Sequence, residues 1–129
     1  MIVILSKFSA KLYALLRIVS GLMFAMHGSQ KLFGFPTGQP MTGDPMMLTA
    51  GIIECFGGLM IALGLGTRIA AFISSGEMAV AYFMVHAKGG FYPIVNHGEL
   101  AVVYCFLFLY FASVGSETLS LKSLLRKKG

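Results

Sequence analysis

Arg17, Glu54 and Glu77 stand inside long apolar runs of this sequence, and Glu99 opens a further run. An ionisable side chain in hydrocarbon is costly, so it normally faces a bundle interior and finds a partner. Charge pairing, proton relay and hydrogen bonding to a ligand are the chemistries such residues allow. Arg17 and Glu77 have expected depths about one helical turn apart, a gap that an arginine side chain can span. They are therefore expected to form a buried charge pair. For Glu54 no span offers a cation at its own level. It must be protonated, meet His27 or Lys31 reaching down, or face a polar cavity. Glu54, His27 and Lys31 are accordingly the candidate ligand and proton site.

Three histidines, His27, His86 and His97, map to one end of the apolar runs. His86, His97 and Glu99 form an expected polar set on that outer face. No HxxxH or similar spacing is present, so neither a metal nor a haem is expected. Imidazoles at an interface are better suited to proton exchange or to hydrogen bonding a ligand headgroup. Cys55 and Cys105 are the only cysteines and form no CxxC pair. They are expected to act as small buried apolar groups rather than as a disulfide. No phosphate-binding loop, dinucleotide fingerprint or nucleophile triad is evident.

The elements that must position these residues follow from composition. Of 129 residues, 57% are hydrophobic and 12% are charged, with a mean hydropathy of +0.81. Soluble domains carry about 25% charged residues. This deficit excludes disorder, an ordinary cytosolic domain and a nucleic-acid partner, and it makes the bilayer the expected surroundings. Helical membrane crossing takes about 20 apolar residues. Four runs qualify, at about 12–29, 47–66, 68–87 and 98–116. Period-2 alternation is absent, which argues against a barrel. The expectation is an all-α transmembrane four-helix bundle, with residues 1–129 as one domain. No A-x-A-like site follows the first run, so it is expected to stay in place.

Basic residues orient the bundle. Lys7, Lys11, Arg68, Lys122, Arg126, Lys127 and Lys128 fall on one side, whereas Lys31 and Lys88 fall on the other. That asymmetry places both termini in the cytoplasm. Stripes of small residues mark the packing faces: Gly51, Glu54, Cys55, Gly58 and Ala62 on the second run, and Ala70, Ser74, Glu77 and Ala81 on the third. On the first run Arg17, Ser20, Phe24, His27 and Lys31 share one face.

The order of these features resembles the DoxX family of small bacterial membrane proteins, over about residues 14–121. The resemblance rests on LLRIVSGLMFAMHGSQKLFGF, including Gly28, Lys31, Leu32 and Phe33, and on GIIECFGGLMIALGLGTRIAA. It continues through GEMAVAYFMVHAKGGFYPIVNHGELAVVYCFLFLY and VGSETLSL. Where relatives often read N-G-G-E, this chain reads Asn96, His97, Gly98, Glu99. The resemblance implies a four-helix membrane bundle in the bacterial inner membrane. It also implies a link to quinone metabolism: the family is named after a subunit connected with terminal quinol oxidase, and a related branch forms the membrane subunit of thiosulfate:quinone oxidoreductase. Other relatives are tied to redox and thiol-stress systems.

Three functions fit. The first is a quinone-interacting redox subunit, whose ligand walls could include Phe24, Phe56 and Tyr82. A partner protein would bring the redox centre, because no electron carrier is evident in the chain. The second is a non-enzymatic membrane scaffold that anchors partner proteins. The third is a small transporter or proton-handling protein, for which four short spans leave little room unless the chain forms a homo-oligomer.

Overall fold

The structure is a computed structural model and describes residues 1–128. Its elements are α1 (Ile2–Ser6), α2 (Ser9–Phe33), α3 (Pro45–Leu63), α4 (Thr67–Ala81), α5 (Pro93–Asn96), α6 (Glu99–Val114) and α7 (Leu121–Lys128). Helix α4 runs on through a π-helical turn, Tyr82–His86, and a 3₁₀ turn, Ala87–Gly89. The described residues contain no strand.

Local chemistry explains where the helices start and stop. Asp44 caps α3, its carboxylate accepting from the Met46 N–H at 2.9 Å, and Pro45 takes the first helical position, where its missing N–H costs nothing. The α3–α4 hairpin turns on Gly64 and Gly66, at φ +71° and +58°. Left-handed backbone of this kind is inexpensive only for glycine.

Helices α2 and α3 approach almost backbone to backbone. A Cβ on Gly21 would lie 2.6 Å from the Ala62 nitrogen, and one on Gly58 would lie 2.5 Å from the Ala25 nitrogen. A Cβ on Gly28 would overlap the backbone of Cys55. Helices α4 and α6 form the second close pair, linked by the Ser75 hydroxyl donating to the Cys105 carbonyl at 2.7 Å. One core joins the four long helices: Phe24 of α2, Ile61 of α3, Ala70, Ala71 and Met78 of α4, and Tyr104, Phe108 and Phe111 of α6.

The all-α class therefore stands, with one revision to the spans. Ser9–Phe33, Pro45–Leu63 and the Thr67–Gly89 run are long and apolar enough to cross a membrane. Helix α6 is shorter than the expected 98–116 run, at 16 residues. At 1.5 Å per residue that is about 24 Å of rise. It stops because Gly115 adopts φ +79° and Arg68 takes its last carbonyls. The guanidinium donates to Ala112, Ser113 and Val114 at 3.2, 2.6 and 3.1 Å. These are the carbonyls a helix end leaves without partners.

Candidate functional site

A cleft of about 680 Å³ lies along the α3–α4 seam, in the half farthest from the hairpin. Ile53, Ile73, Met78, Val80 and Leu100 help to form its apolar wall. His27, Lys31, Glu54, Glu77, His86, His97 and Tyr104 all reach it. Its size and its mix of an apolar wall with few polar groups are those of a small-molecule pocket.

Packing below the cleft sets its polar centre. Because Gly28 and Gly51 let α2 and α3 close up, Lys31 lies directly beside Glu54. Its Nζ donates to Glu54 Oε2 at 2.6 Å. Glu54 is 3% exposed and Lys31 is 21% exposed, so water screens this pair little. Glu77 arrives from α4, and its carboxyl lies against that of Glu54. Glu77 Oε2 is buried and has no hydrogen-bond partner within the protein. The same holds for the Tyr104 hydroxyl, on a residue only 4% exposed. The Tyr104 ring stacks on Phe108 at 5.1 Å and packs against Phe24 at 5.2 Å, which fixes where its hydroxyl points.

The rim is held by Asn96. Its Nδ2 donates to the Gly90 carbonyl at 2.8 Å and to the Tyr82 hydroxyl at 3.1 Å, while its Oδ1 accepts from the Gly98 N–H at 2.8 Å. His86 Nδ1 lies 3.4 Å from the Asn96 carbonyl. His97 takes a left-handed conformation, φ +60°, beside α6. The π-helical turn carries Met84, Val85 and His86 to the cleft. Single π turns inside α-helices recur at functional sites.

Several expectations change. Arg17 does not pair with Glu77. It lies at the level of the hairpin, where its Nη2 donates to the Leu119 carbonyl at 2.7 Å and approaches the Thr118 carbonyl at 3.4 Å. Glu77 is ten residues along α4 from Thr67, about 15 Å away along the axis. The arginine extends toward the helix end, where irregular backbone offers free carbonyls, and not toward the acid. The three described ion pairs are Lys31–Glu54, Lys122–Glu117 and Arg126–Glu117. Of the expected outer-face set, His86 and His97 line the cleft, while Glu99 is exposed beside it. Phe24 does line it, but Phe56 is 56% exposed on the outer surface. Tyr82 instead ties down the 88–98 connection by donating to the Phe91 carbonyl. Cys55 and Cys105 are free thiols, each partly exposed rather than buried. No group of three or more His, Cys, Asp or Glu side chains among the described residues is placed to hold a metal.

Sequence reasoning did not find Tyr104, which lies within the apolar stretch VVYCFLF. A lone tyrosine there reads as core. Only the unpartnered hydroxyl sets it apart, and that is a tertiary fact.

Residues 12–87 match the sequence model of the DoxX family. An uncharacterized protein of Haemophilus influenzae is 47% identical over 131 aligned residues, which cover 96% of this chain and 98% of that protein. No solved structure matches the chain.

Proposed function

The chain belongs to the DoxX family of membrane proteins, and from that premise we propose that its cleft binds a quinone and that it serves as the membrane subunit of a redox or thiol-stress system. One observation carries this reading: at an apolar cleft the Tyr104 hydroxyl is buried without a protein partner, and Glu77 Oε2 receives no hydrogen bond from a protein donor. Leaving such a group unsatisfied costs about 1–3 kcal/mol. A ligand with oxygen functions on an apolar ring would satisfy both. When bound, a quinone would supply two-electron, two-proton chemistry.

The chain's own residues divide the remaining work. Lys31 holds Glu54 in place and balances one carboxylate. Glu77 holds its buried Oε2 beside the cleft and can take up or release a proton there. Two adjoining carboxyls can also hold one proton between them. Tyr104 donates or accepts a hydrogen bond at a position fixed by Phe24 and Phe108. His27 stands one turn below Lys31 on the same helix face. His86 and His97 connect the cleft with the rim and can pass protons outward. The electrons come from a partner protein that carries its own redox centre. The excess of basic residues around the hairpin and both terminal helices supports an orientation with that end in the cytoplasm and the cleft toward the outer side of the bacterial inner membrane.

Purification in mild detergent followed by lipid extraction tests the reading. Stoichiometric quinone is expected with the wild-type protein. Tyr104→Phe and Glu77→Gln should each lower it roughly tenfold, the order expected for one lost hydrogen bond in a dry site. A folded protein free of quinone but tightly held to another protein would replace this reading with the scaffold. For the orientation, alkaline phosphatase fused within the 36–44 loop should be active and a fusion after Gly129 inactive. The opposite pattern would invert the topology.

A further inference from the structure

We infer that α7 is an anionic-lipid-binding helix that lies on the headgroup surface at the hairpin end of the bundle. Helix α7 has eight residues, none of them buried. Isolated helices shorter than about 12–15 residues are marginal in water. Glu117, paired with Lys122 and Arg126, and the Ser120–Ser123 hydrogen bonds hold its start, but its leucines stay exposed and need a cover from outside the chain. Leu121, Leu124 and Leu125 follow at i, i+3 and i+4 and share one face, where Leu124 is 56% and Leu125 62% exposed. Lys122, Arg126 and Lys127 take the opposite arc. An apolar stripe backed by cations is the pattern of a helix lying in the membrane interface.

The bundle fixes where this helix begins. Tyr13 donates to the Gly115 carbonyl at 2.7 Å, and Arg17 holds the Leu119 carbonyl at 2.7 Å. The Ser116 hydroxyl donates to the Gly64 carbonyl at 3.0 Å. Residues 115–120 are thus pinned against the hairpin end, and α7 starts just beyond it. Lys7, Lys11 and Arg68 occupy the same end, where Glu117 is an acidic residue and pairs with Lys122 and Arg126. Arg68 and Lys122 also border a recess of about 310 Å³ beside Thr67 and Ser116. This surplus of cations next to lipid selects an anionic headgroup over a zwitterionic one. Each basic residue near such a surface strengthens attraction by roughly fivefold.

The chain contains no tryptophan, so one placed in α7 reports without background. Full-length Leu124→Trp protein would be reconstituted in two vesicle types of equal bromine content. One is phosphatidylglycerol with brominated phosphatidylcholine, the other plain phosphatidylcholine with the same brominated lipid. Strong quenching of a blue-shifted emission is expected in the first type, with at least about a twofold loss of quenching in the second. Adding Lys122→Gln, Arg126→Gln, Lys127→Gln and Lys128→Gln should bring the first type down to the level of the second. Equal quenching in both types would overturn the role of charge and with it the inference. Blue-shifted emission without quenching would mean that a protein surface covers the leucines, and red-shifted emission that water does. Either result refutes lipid docking.

Discussion

The two ends of the bundle both bury charge and treat it in opposite ways. At the cleft end Glu54 is matched by Lys31, a side chain that reaches it from the neighbouring helix. Beside that pair, Glu77 and Tyr104 bury polar atoms that no protein donor or acceptor meets, next to the cleft. At the hairpin end Arg17 is fully buried and has no acid beside it. Backbone carbonyls of the 115–120 segment take its Nη2, and its Nε and Nη1 are packed in without partners. Neither cavity reaches Arg17. Unsatisfied polar atoms therefore mean different things at the two ends. Next to a cavity they can meet a ligand, whereas inside packed backbone they are a cost that a rigid latch sustains.

If this division holds, variants at the two ends should separate stability from binding. Arg17→Ala should have the largest effect on stability. It removes the donor that holds the Leu119 carbonyl and leaves a hole against Gly64 and Ser120. A loss of about 3 kcal/mol is expected, in line with breaking a buried charged network. Thermal melting in detergent would measure it. Quinone bound per folded molecule should stay at the wild-type level. A fall in bound quinone at unchanged stability would erase the distinction between the ends.

Next in size is the pair at the cleft. Glu54→Ala strands a half-buried ammonium, and Lys31→Ala strands a buried carboxylate. Each should cost about 2–3 kcal/mol, less than a fully buried pair because Lys31 keeps some contact with solvent. The double variant should cost less than the two losses added together. Unlike Arg17→Ala, all three should also reduce quinone content. Strictly additive losses would mean that the 2.6 Å contact contributes no coupling.

How far the sequence predicts these features depends on the distance over which each is determined. The apolar runs are legible because crossing hydrocarbon is a matter of length and composition. His27 and Lys31 are legible as neighbours because i and i+4 share a helix face, and the glycine stripe of α3 places Glu54 opposite them. The partner of Arg17 is not. Residue number gives the depth of a Cα atom, but a long side chain can extend a turn either way, and the free carbonyls lie toward the helix end. The stop of α6 is likewise unreadable locally, since the cation that closes it comes from the start of α4. Glu99 opens α6 exposed at its N-terminus, where a carboxylate is favoured in any case.

The smallest expected effect is confined to the surface of the hairpin end. Glu117 accepts from Lys122 at 3.2 Å and from Arg126 at 3.0 Å, which pins the start of α7. The Lys122 ammonium first, and then Arg126, hold its carboxyl below the ordinary carboxylate range. A depressed carboxylate pKa contributes stability that is complete above the unfolded value and disappears as pH falls through the folded one. The clamp should therefore be intact at neutral pH and be lost only in acid, below about pH 4. Glu117→Gln should remove this acid-side dependence while leaving the neutral-pH melting temperature nearly unchanged, because exposed pairs are screened by solvent. An NMR titration of the Glu117 carboxyl, in wild type and in Lys122→Gln, reads the effect directly. The wild-type midpoint should lie lower, and the difference should shrink as salt is added. A midpoint unmoved by Lys122→Gln would free α7 from Glu117 and leave Arg17 and the leucine face as its remaining anchors.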